Sequence, residues 1–388
     1  MRKPFLAVLT ATFLLTAVPL LAQTPCPGFA VVVNTPEDQL TLAINGADKP
    51  EDQITALDKF VKENPDSKFI PCVNEYYTMA YVKTGNFDKA IEYGEKDLAA
   101  GYQDLSLSVN LLKAYVGAGK APDSAFDMIM KAPELIKKET TPARPNTASE
   151  PDWQKMKQDA AEMAKDVTAY VTYAFFQLLA GVTDSAKRLT LLGQLEKAYP
   201  DAGTQDAAQI NFQYFMAYEM AGQGQKAEPY GEKCLAADAN NIQVLNLFAY
   251  DYASRQTELD KASDYATKVL TLLPTIKKPE GQTDDQFKAQ QSNQFGMAHL
   301  TLGYIAFQKG AKTHKVAPAI QELKTAVDLL DANPTLKAQA LFYLGYAYEV
   351  LSPPNHHEAL DALSKAVAIQ SPWQAQAEDL LAKVKKAK

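Results

Sequence analysis

Apolar residues recur along most of this chain at intervals of three and four, the spacing of one face of an α-helix. The helical stretches come in pairs. The first of each pair ends in Tyr or another large residue, a short polar turn follows, and a second amphipathic stretch opens on a small residue. The junctions read "AYVKTGNFDKA", "AYVGAGKAPDSA", "AYEMAGQGQKA", "DYASRQTELDKA", "AFQKGAKTHKVAPA" and "AYEVLSPPNHHEA". One phrase is written twice: "KTGNFDKAIEYGEKDLAAG" (Lys83–Gly101) returns far downstream as "MAGQGQKAEPYGEKCLAAD" (Met220–Asp238). Alignment on the small residue gives Ala90, Ala125, Ala186, Ala227, Ala262, Ala319 and Ala359. Their spacing is nearly regular, except that the steps from Ala125 to Ala186 and from Ala262 to Ala319 are lengthened by insertions. The second stretch often closes on Pro, as at Pro200, Pro274 and Pro334.

This pattern resembles the tetratricopeptide repeat (TPR), a helix–turn–helix of about 34 residues with a W-x2-L-G-x2-Y…A-x3-F…P signature. "HLTLGYIA" (His299–Ala306) and "LFYLGYAY" (Leu341–Tyr348) carry its Leu-Gly pair, whereas the Trp position never holds Trp. The resemblance implies an all-α, right-handed helix–turn–helix solenoid of about seven repeats over residues 71–370, interrupted by loops at 137–153 and 275–292. Residues 371–388 read as a C-terminal capping helix, and residues 23–70 as an N-terminal extension with a half-repeat at Pro50–Ser67. A small residue on one helix admits the next helix closely, so the Ala series together with Gly303 and Gly345 marks the contact points. No single pair buries its apolar face alone, and several must stack.

In such an array the first helices line a concave surface, and the stripe at i, i+4, i+7 faces the groove. Here the stripe is apolar and aromatic: Phe175, Phe212, Met216, Tyr250, Tyr304, Phe307, Phe342 and Tyr346 are its candidate partner-binding residues. Lys113 is its one basic member. A groove that clamps a terminal carboxylate needs several positive donors, so that mode is not expected. Tyr side chains, offering apolar area and a polar tip, suit a peptide or a partner helix.

Composition narrows the function classes. A net charge of −7 over 388 residues argues against a general nucleic-acid binder. Arg2 and Lys3 precede an apolar run, Phe5–Ala22, broken by Pro19. Residues 1–22 therefore read as a secretory signal peptide, the alternative being an uncleaved anchor, and no later run is expected to span a membrane. The expected location is a bacterial periplasm or the exterior. Cys26 and Cys72 lie near the start of the array and either pair in an oxidising compartment or stand as free thiols, while Cys234 takes a core position.

His299, His314, His356 and His357 do not form a metal spacing. No nucleophile-elbow, zinc-protease or phosphate-loop motif occurs. The expectation is a non-enzymatic scaffold with no cofactor and no metal, binding an unidentified protein or peptide, with oligomeric state open. The alternative is a self-associating cell-envelope structural or assembly factor.

Overall fold

The computed structural model describes residues 31–141, 143–145, 148–200 and 207–387, without the side chains of residues 71 and 387. Residues 1–22 and Cys26 lie outside the described residues, as does part of the 137–153 segment. Among the described residues all regular structure is helical, in seventeen α-helices and two short 3-10 turns. The chain divides into two compact units at Ile210 and Asn211.

The N-terminal unit holds α1 (Pro36–Gly46), α2 (Pro50–Glu63), α3 (Ile70–Thr84), α4 (Phe87–Ala99), α5 (Leu105–Ala118), α6 (Asp123–Thr140), α7 (Glu150–Leu179) and α8 (Ser185–Ala198). From α1 to α7 each helix packs on the next, and α3 also packs on α5, α5 on α7 and α6 on α8. Those last contacts turn helix pairs into a stack. Side chains that accept a backbone N–H set the starts: Asn86 from Lys89, Asp104 from Leu107, Asp184 from Lys187. Each satisfies one of the donors that a helix N-terminus leaves orphaned.

The C-terminal unit takes most of α9 (Ala207–Met220), then α10 (Gly224–Ala237), α11 (Ile242–Ser254), α12 (Leu259–Leu272), α13 (Asp284–Gly310), α14 (Ala317–Leu329), α15 (Pro334–Val350), α16 (His356–Val367) and α17 (Gln374–Ala387). Consecutive helices from α10 to α17 pack on one another, and α11 packs on α13, α13 on α15 and α15 on α17. Its largest core lies between α13 and α17, around Leu323, Leu330, Leu344 and Leu363. A Cβ on Gly303 would lie 2.7 Å from Leu323 Cγ, and one on Gly345 2.6 Å from Leu363 Cγ. Both glycines of the Leu-Gly pairs are thus close-approach points, as the motif implies.

The duplicated phrase is duplicated structure. Tyr77 and Tyr81 of α3 stack with Tyr93 of α4, the Tyr77–Tyr93 ring centroids 4.3 Å apart. At the matching positions of the second copy, Tyr214 and Tyr218 of α9 stack with Tyr230 of α10, with Tyr214 and Tyr230 at 4.8 Å. Lys96 lies 4.4 Å over the Tyr93 ring, and Lys233 5.4 Å over Tyr230. Gly85 (φ 74°) and Gly222 (φ 65°) share the same register and the left-handed turn after the first helix. The register that carries Gly85 onto Gly222 also carries Tyr115 onto Tyr252. Each of these tyrosines donates a hydroxyl proton to a glutamate of the preceding helix: Glu95 at 2.8 Å and Glu228 at 2.7 Å.

Four sequence expectations change. Six of the seven alanines are fully buried, but Ala186 is exposed. The buried slot one turn into α8 is filled by Arg188, whose guanidinium donates to the carbonyls of Leu179 (2.7 Å) and Val182 (3.0 Å). Second, the N-terminal extension carries a complete helix pair, α1 and α2, where the half-repeat anticipated only α2. Third, the loops are shorter than 137–153 and 275–292, since α6 runs on to Thr140, α7 starts at Glu150 and α13 at Asp284. A reciprocal capping box between Thr283 and Gln286 sets that last start. Fourth, three of the groove candidates are core residues, as described next.

Candidate functional site

One turn-by-turn row of α15 gathers the aromatic residues of the C-terminal unit. Gln339, Phe342, Tyr343 and Tyr346 stand at i, i+3, i+4 and i+7, the spacing that keeps side chains on one helical face. Behind them lie Tyr304 and Phe307 of α13. The Tyr304–Tyr343 centroids are 4.6 Å apart, Phe307–Tyr343 5.7 Å and Phe307–Tyr346 5.0 Å. At the end of the row Trp373, just before α17, meets Phe342 at 5.5 Å and Tyr343 at 5.4 Å. Tyr250 of α11 closes the other end, its hydroxyl donating to Gln339 Oε1 at 2.8 Å.

The row grades from core to surface. Tyr304 is 8% exposed and Phe307 5%, so both act as its floor. Tyr250, Phe342, Tyr343 and Trp373 are half-buried, and Tyr346 is 39% exposed. Burial, then the neighbouring Tyr304, pushes the Tyr343 phenol far up. Burial likewise raises Tyr250, against the hydrogen bond to Gln339. These two hydroxyls stay protonated at any ordinary pH and serve as neutral donors and acceptors.

The other candidates stand apart from this row. Phe175 of α7 is fully buried in the N-terminal unit, ring to ring with Phe126 at 5.9 Å and Phe176 at 5.4 Å. It offers no surface, because α6 covers it. Phe212 and Met216 of α9 are half-buried, and Gln243 Nε2 reaches Met216 Sδ at 3.6 Å. Tyr343 and Trp373 join the site without having been singled out. The i+4 partner of Gln339 in "QALFYLGYAY" was the available signal for Tyr343. Trp373 lies outside the repeat motif and carried none.

A second polar feature borders α9 and α11. Arg255 binds Asp251 through Nε (2.8 Å) and Nη2 (2.5 Å) and approaches Glu228 at 3.7 Å. Glu219 is pushed up to about 8 by burial and then by Asp251, with Arg255 pulling the other way. Histidines pair with carboxylates, His299 with Glu322 at 2.6 Å and His356 with Glu349 at 3.0 Å. Among the described residues no group of three or more His, Cys, Asp or Glu side chains could hold a metal ion, and no helix is long and apolar enough to cross a membrane. Cys72 takes part in a disulfide and Cys234 is a buried free thiol.

No family model and no curated protein matches the chain. Among solved structures it is similar to the C-terminal part of a TPR repeat-containing protein from Cytophaga hutchinsonii, with 18% identity, 79% of this chain and 98% of that chain covered, and a TM-score of 0.36. It also aligns with the Cut9–Hcn1 hetero-tetramer of the APC/C, with 14% identity, 94% and 92% coverage and a TM-score of 0.29. The repeat architecture itself stands on the chain's own succession of packed helix pairs.

Proposed function

We propose that this protein is an exported helical-repeat scaffold that binds a protein partner, taking an extended or helical apolar segment on the aromatic row of its C-terminal unit. The observation that carries the reading is the graded row from Tyr304 and Phe307 to Tyr346 and Trp373. Its inner rings are locked by packing, so its outer rings lose little rotamer freedom when a partner settles on them. Rigid aromatic anchors of this kind dominate binding energy at protein interfaces. Tyr346 adds a hydroxyl for the partner's backbone, and the row holds no lysine or arginine that would select an acidic terminus. Export rests on the apolar run Phe5–Ala22 behind Arg2 and Lys3, and the periplasm or exterior is the location proposed.

The test is selection of displayed peptides on the chain lacking residues 1–22, followed by titration of the best binders. Tyr346→Ala and Trp373→Ala should each weaken binding by about 2 kcal/mol, roughly 30-fold. Binders held equally by the native chain and both variants would sink the reading. Concentration-dependent assembly in sedimentation that Tyr346→Ala abolishes would replace the foreign partner by a second copy. Fractionation of cells producing the chain with and without residues 1–22 tests export separately.

A further inference from the structure

Four carboxyl groups meet where α3, α4, the start of α5 and the end of α6 come together. Glu75 belongs to α3, Asp97 to α4, Asp104 caps α5 and Glu139 lies in the last turn of α6. Glu75 is 4% exposed and Asp97 2%, yet Glu75 Oε1 and Asp97 Oδ1 have no hydrogen-bond partner. Asp104 Oδ1 accepts from the Leu107 N–H at 2.8 Å, and Glu139 Oε1 from the Leu105 N–H at 3.1 Å. Ser106 reaches Glu75 and Asn74 reaches Asp97.

The charges acting on Glu75 are Asp104, Asp97 and Glu139, and Asp104 acts on Asp97 as well. Lys138 acts on Glu139 alone among them, and Asp58 of α2 is taken by the Tyr77 hydroxyl at 2.6 Å. Two buried, unpaired carboxylates side by side are costly when ionised, and the protonated form removes that cost.

The second copy shows that the fold does not require this arrangement. In the register that carries Gly85 onto Gly222, the positions of Glu75, Asp97 and Asp104 are taken by Phe212, Cys234 and Asn241, all uncharged. Asn241 still caps α11, accepting from the Val244 N–H at 3.1 Å. The same helix junction is thus built once with carboxyls and once without.

We propose that the α3–α4–α5 junction is a proton-operated latch: protons held on Glu75 and Asp97, buried beside Asp104 and Glu139, keep α3 and α4 closed on α5, and their loss as pH rises lets the junction open. Burial, then Asp104, pushes Glu75 up to about 8, and burial pushes Asp97 up to about 6. A carboxyl whose folded pKa is raised gives stability that is complete below its unfolded pKa and is lost as pH rises through the folded one. The stabilisation that the protons supply therefore fades from about pH 4 upward and is spent above about pH 8.

Hydrogen exchange of the full chain, read by mass spectrometry and corrected for intrinsic rates, tests this between about pH 6 and about pH 9. Amides of α3–α5 should lose roughly 100-fold protection over that range, and Glu75→Gln with Asp97→Asn should remove most of the loss. Wild-type protection that stays constant, or a double variant that keeps the wild-type pH dependence, overturns the proposal. If the double variant does not fold, Asp104→Asn, which keeps the cap as Asn241 does, should lower Glu75, so that the loss of protection is smaller and ends at lower pH; an unchanged loss would overturn the proposal equally.

Discussion

The Tyr250 hydroxyl donates to Gln339 Oε1 at 2.8 Å, joining α11 to α15 across 89 residues of sequence. Gln339 is 4% exposed, so water does not readily replace Tyr250 as its partner. Tyr250→Phe should cost about 1–3 kcal/mol in chemical denaturation, because it leaves a buried acceptor unmet. Adding Gln339→Leu should recover part of that loss, and strict additivity of the two changes would show that the bond carries no coupling.

Gly345 is a close-approach point between α15 and α16, with Leu363 Cγ 2.6 Å from where a Cβ would stand. Gly345→Ala should destabilise by about 1–3 kcal/mol through overpacking. Combining it with Leu363→Ala should cost less than the two single changes together. A neutral Gly345→Ala in a thermal melt would mean that the helices separate freely there.

Stability of the C-terminal unit should depend on pH through Glu219. Its carboxyl is raised from 4.5 to about 8 by burial and by Asp251, so the folded state holds a proton that the unfolded state releases. That contribution is whole below about pH 4.5 and fades as pH rises through about 8. Glu219→Gln should flatten this part of the profile in denaturation series run across that window. An unchanged slope in the variant would assign the pH dependence elsewhere.

Cysteine chemistry should separate the three thiols. Digestion without reductant should release the Cys72 peptide joined to the Cys26 peptide, Cys26 being the remaining partner the sequence offers beside the free Cys234. Burial pushes Cys234 up to about 11, so alkylation of the folded chain near neutral pH should be slow and become fast in denaturant. Recovery of an unlinked Cys26 peptide under those conditions would refute the pairing.

The repeat was legible because packing repeats: Ala90, Ala125, Ala227, Ala262, Ala319 and Ala359 each occupy a fully buried contact. Ala186 misled because the real slot, two positions on, holds Arg188, and an arginine becomes a core residue only when carbonyls are waiting for its guanidinium. The loops were read too long because Asp284 and Asp285 look like loop residues, whereas Thr283 and Gln286 make them the acidic first turn of a helix. Of the groove candidates, Tyr346 and Phe342 reach the surface. Tyr304 and Phe307 do not, since Tyr343 lies over them, and that covering depends on where α15 sits. Glu75 and Asp97 look like ordinary solvated charges in the sequence; only the meeting of helices removes their water.

The two tyrosine triads have a consequence for how such a chain can change length. A splice joining Thr84 directly to Gly222 would remove everything between them and leave Tyr77 and Tyr81 facing Tyr230 in place of Tyr93. The turn glycine, the lysine over the ring and the buried alanine of the next helix would all fall back into phase. Exchange between the two stretches would therefore keep the turn and the ring stack in phase, while the positions that differ, Glu75 against Phe212 and Asp97 against Cys234, would have to repack.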